Sequence, residues 1–175
     1  MDRRLLIFFL ANVLLIFLQA QLNHRLAPVS LSLFVPGLLI VLPPLYLRGL
    51  PAQICVVLAG IWLDVALPGI PFGLSTIFFF ALSLFIRHYR KRFHPQQNFH
   101  PLMLALLANG VWLLLLWILK GKGQWWDWHY HLRFSLDFAA SQLLLLVIGG
   151  WFFNLQRAGI YLLGWKQEPE ELPIR

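Results

Sequence analysis

Few residues in this chain have the chemistry to act on anything. Two acids, Asp64 and Asp137, lie in or beside apolar runs. An ionisable group at membrane depth is costly, so by default it marks a functional or packing-critical position. Facing one another, the two would form a carboxylate pair for acid–base work, but the sequence sets no distance between them. Asp127, His129 and His131 alternate and could contact a metal. No i, i+4 histidine pair and no nearby fourth ligand joins them, so a closed metal site is not expected. H-E-x-x-H, G-x-S-x-G, the phosphate loop and GxGxxG do not occur,. The expectation is a protein without catalytic residues, metal or cofactor, in which a lone acid serves packing or a partner.

The elements that must position these residues are apolar. Of the 175 residues 59% are hydrophobic and 12% charged, and the mean hydropathy is +0.71. A soluble domain carries roughly a quarter charged residues, so the composition predicts one integral membrane domain over residues 1–166 with a polar tail at 167–175. Asp64 lies in the hairpin that organises the chain: an apolar run at 51–67, the turn P-G-I-P-F-G, and a second run at 74–86. Gly60 is one turn before Asp64 on the same helix face, where it permits a close helix approach. Gly69 and Gly73 give the turn its freedom. Arg87, His88, Arg90, Lys91 and Arg92 follow, as a topology determinant or as a patch for anionic lipid or a partner.

Further spans are expected at 4–22, 30–47, 101–119 and 136–154, making an all-α bundle of six transmembrane helices. Pro36 and the pair Pro43-Pro44 predict a second span that is bent and buried along part of its length. Asn12 and Gln19 are expected to face other helices. Trp125, Trp126, Trp128 and Tyr130 in the 120–133 loop suit the membrane–water interface, and Asp137 suits the positive end of a helix dipole. Cys55, the single cysteine, excludes an internal disulfide.

Six spans put both termini on one side. Ten Lys and Arg fall on that side, and four (Arg25, Lys120, Lys122 and Arg133) on the other. The positive-inside rule then makes the termini and the 87–100 loop cytoplasmic. The net charge of +7 is read as orientation and anionic lipid contact rather than nucleic-acid binding.

The stretch G-I-W-L-D-V-A-L-P-G-I-P-F-G, residues 60–73, resembles the G-x-x-x-D…G core of MreD, the bacterial rod-shape-determining membrane protein family. The preceding proline-broken span, the basic stretch after the hairpin and the overall layout are similar too. The proline content of the second span and the Trp-rich loop depart from the family pattern. The resemblance implies a non-enzymatic scaffold subunit of the cell-elongation machinery in the bacterial inner membrane. It also implies an MreC-like partner, with links to MreB, RodA and a class B penicillin-binding protein. Asp64, with Gly60 and Gly73, would hold the hairpin or contact a partner. The family fold resembles the substrate-binding subunits of energy-coupling-factor vitamin transporters, which supplies the alternative function. Against that alternative, the first helix lacks their A-x-x-x-A docking pattern; Leu5 to Leu18 is crowded with Leu, Ile and Phe.

Overall fold

The computed structural model describes residues 3–47, 49–66, 71–89, 99–121 and 126–162. Among them are six α-helices and no strand: α1 (Arg3–Leu26), α2 (Pro36–Tyr46), α3 (Leu50–Ala66), α4 (Leu74–His88), α5 (Phe99–Lys120) and α6 (Trp128–Leu162). Three segments, Leu5–Val29, Phe99–Lys120 and Trp128–Leu162, are long and apolar enough to cross a membrane; α2, α3 and α4 are shorter apolar helices. The outward faces of the long helices carry large apolar side chains, among them Leu10 and Phe17 on α1, Leu107 and Val111 on α5, and Leu143 and Val147 on α6. Water tolerates such faces poorly, whereas hydrocarbon matches them.

The centre is α2. All eleven of its residues are buried, as an all-apolar helix requires, and it packs against all five other helices. The sequence predicts this span at 30–47. The helix instead begins at Pro36, which occupies its first turn and has no amide to leave unbonded there. Residues 31–35 are not helical, and burial extends along the whole helix rather than part of it. Eleven residues at ~1.5 Å each cover only ~16 Å, about half of a hydrocarbon core.

Two other helices differ from expectation in their bounds. Helix α1 runs on to Leu26, because nothing in Asn23–Leu26 breaks a helix before Ala27-Pro28, where proline disfavours a helical conformation in the preceding residue. Helix α6 starts at Trp128 rather than 136 and runs 35 residues to Leu162 rather than 154. Trp128 therefore opens a helix, and Asp137 lies in the third turn. The helix dipole therefore does little for Asp137, since its effect falls off within the first turn.

Candidate functional site

Gly60, Asp64 and Gly73 come together where α3 meets α4. A Cβ on Gly60 would lie 2.7 Å from the Thr76 Cα, so only glycine permits this backbone approach. Gly73 adopts φ +93° just before α4, a left-handed conformation that favours glycine. The Asp64 carboxylate, 6% exposed, reaches across to the α4 N-terminus. Oδ1 accepts the Ser75 N–H at 2.8 Å. Oδ2 accepts the Gly73 N–H at 3.0 Å, the Thr76 N–H at 3.2 Å and the Thr76 hydroxyl at 2.8 Å. The first amides of any helix lack intrahelical acceptors, and here an acid from the neighbouring helix supplies them. A negative charge is also favoured at that end of the α4 dipole.

A second polar cluster surrounds residues 31–35, whose amides bond to side chains on two helices in turn. The Ser32 N–H donates to Asp137 Oδ1 at 2.9 Å and the Phe34 N–H to Ser141 Oγ at 3.0 Å, both acceptors on α6. The Leu33 N–H donates to Asn23 Oδ1 at 2.7 Å and the Val35 N–H to Gln19 Oε1 at 3.2 Å, both on α1. Alternate amides of this non-helical segment thus serve opposite helices, and each side meets an i, i+4 pair on the facing helix,. Asn23 Nδ2 returns a bond to the Leu33 carbonyl at 2.9 Å. Non-helical backbone persists at membrane depth only when so enclosed, or beside a water-filled cavity.

The break at Pro43 in α2 is repaired in the same way. Pro43 has no N–H for the Leu39 carbonyl, and Asn12 Nδ2 donates to that oxygen at 3.1 Å. Gln156 Nε2 on α6 in turn donates to Asn12 Oδ1 at 3.2 Å. Asn12 and Gln156 are both fully buried.

Between α5, the first turns of α6 and residues 32–34 lies a cavity of about 390 Å³, within the usual size range of small-ligand sites. Phe34, Leu113, Leu116, Trp117 and Phe134 form its apolar walls. Lys120, Tyr130, Arg133 and Asp137 add polar groups, and both cations interact electrostatically with Asp137. The Tyr130 hydroxyl donates to the Trp117 carbonyl at 2.8 Å, tying the start of α6 to the end of α5.

The remaining residues singled out from sequence are dispersed. Asp64 and Asp137 belong to different clusters and do not share partners. Arg87 is exposed in the last turn of α4, and Trp126 and Trp128 are exposed beside the start of α6. Gly69, Arg90, Lys91, Arg92, Trp125 and the 167–175 tail lie outside the described residues. Asp127 Oδ1 accepts the His129 N–H at 2.9 Å, and the His131 ring lies against Trp117 at 5.8 Å. Among the described residues no group of three His, Cys, Asp or Glu could hold a metal ion. Asn23 and Gln156 were missed from sequence; the four-residue spacing of Gln19 with Asn23, matched by Asp137 with Ser141, was the available signal. Comparison of the chain with protein-family models, with curated proteins and with solved structures finds no match.

Proposed function

We propose that this chain is a non-enzymatic scaffold subunit of the bacterial cell-elongation machinery, similar to MreD and bound to an MreC-like partner. The observation that supports this reading is the interlocking of Gly60, Asp64 and Gly73, the residues that carry the resemblance, in one helix–helix clamp. The acid at the centre of the motif has its oxygens occupied by α4 amides and a hydroxyl, which suits a rigid hairpin rather than proton transfer. In this proposal the chain lies in the inner membrane with cytoplasmic termini. The basic residues from Arg87 to Arg92 contact anionic lipid, and the links to MreB, RodA and a class B penicillin-binding protein run through the complex.

The test is affinity purification of the tagged protein in gentle detergent, with its companions identified by mass spectrometry. Recovery of an MreC-like protein with wall-synthesis enzymes is the expected result. The cavity beside Asp137 favours a second reading, a substrate-binding subunit of an energy-coupling-factor type vitamin transporter. Recovery of paired ATPases with a transmembrane coupling subunit would replace the scaffold reading by that one.

A further inference from the structure

The cavity walls and mouth differ in character. Leu113, Leu116, Trp117 and Phe134 present apolar surface, whereas Lys120 and Arg133 are exposed cations. Among the described lining residues Asp137 is the one acid, and its Oδ1 already holds the Ser32 amide. Two cations against one acid leave the lining with a net positive charge, so an anion is favoured over an amine. Depth points the same way. Trp128 is 73% exposed at the start of α6, as expected of a ring at headgroup level. Arg133 follows it by five residues, ~7.5 Å along the helix axis, and Lys120 ends α5. The cationic mouth therefore lies just beneath the headgroup layer, with apolar walls behind it.

We propose that this cavity binds an anionic amphiphile. Its phosphate-type headgroup pairs with Lys120 and Arg133, and its apolar chain lies against Leu116, Trp117 and Phe134. The site is preformed, because the Tyr130–Trp117 bond and the Asp137–Ser32 bond fix the elements that surround it. It would recognise the phosphate and the chain together, which distinguishes it from a site for a soluble anion. This inference goes beyond the scaffold reading and does not depend on the identity of any protein partner.

The test uses the full-length protein in a mild non-ionic detergent. Thermal unfolding and native mass spectrometry are recorded with dihexanoylphosphatidylglycerol, with dihexanoylphosphatidylcholine and with inorganic phosphate. The phosphatidylglycerol is expected to raise the Tm and remain bound in the gas phase, while the other two leave the Tm unchanged. Lys120→Gln with Arg133→Gln should weaken its binding roughly tenfold or more, the loss of charge-assisted contacts. Leu116→Trp, which fills the cavity, should abolish binding while the two cations remain. A Tm rise with inorganic phosphate alone would overturn the amphiphile in favour of a soluble anion. Equal binding of both lipids, or unchanged binding in both variants, would reduce the effect to nonspecific lipid contact and overturn the site.

Discussion

The Asp64 clamp and the Asp137 cluster solve one problem in two ways. Each places a carboxylate against backbone amides that have no helical acceptor. Asp64 takes three amides and a hydroxyl from one helix end and is nearly sealed from its surroundings. Asp137 takes a single amide, is only half-buried, and shares a cavity with two cations. The difference separates an acid that builds the fold from an acid that also borders a space where something can bind. Two carboxylates thus acquire different surroundings from the number of donors that converge on them.

Breaking the comparison at its stronger side should have the largest effect. Asp64→Ala leaves the Gly73, Ser75 and Thr76 amides without their acceptor and should cost about 2–4 kcal/mol, since stranded buried donors are expensive. Reversible unfolding in mixed detergent micelles measures this, and a change under ~0.5 kcal/mol would contradict it. Gly60→Ala drives a methyl group into the Thr76 backbone and should cost about 1–3 kcal/mol, the range of overpacked cores. Asn12→Ala strands the Leu39 carbonyl and the Gln156 amide together, for a smaller loss of about 1–2 kcal/mol, because polar contacts in membranes contribute modestly. Asp137→Asn keeps an oxygen for the Ser32 amide and should cost less than about 1 kcal/mol. A loss for Asp137→Asn as large as that for Asp64→Ala would erase the distinction between the two clusters.

Much of the clamp was legible in the sequence, and little of the second cluster was. Gly60 and Asp64 one turn apart, followed by a Pro/Gly turn, encode the hairpin locally, so spacing alone brings these residues together. Residues 31–35 are as apolar as their helical neighbours, with Leu31, Leu33, Phe34 and Val35. Hydropathy reports burial and not backbone conformation, so the run read as part of a helix. What holds it open lies far away in sequence, on Gln19 and Asn23 of α1 and on Asp137 and Ser141 of α6. Asn12 faces other helices as expected, through Leu39 of α2 and Gln156 of α6, whereas Gln19 meets the Val35 amide of the non-helical segment instead of a helix. The early start of α6 was hidden for a different reason. Its first turns are rich in Trp, His and Arg, which signals an interface, yet no glycine or proline between Trp128 and Ile148 interrupts a helix.

Amide hydrogen exchange tests most directly the claim that side chains of neighbouring helices supply the missing backbone acceptors. Exchange in residues 71–80 and 31–37 would be followed in wild type and in Asp64→Ala, both in the same detergent. The Gly73, Ser75 and Thr76 amides should be protected in wild type and exchange much faster in the variant, while 31–37 stays protected in both. Equal exchange of those three amides in the two proteins would mean that Asp64 does not hold the start of α4, and the account of the clamp would fail.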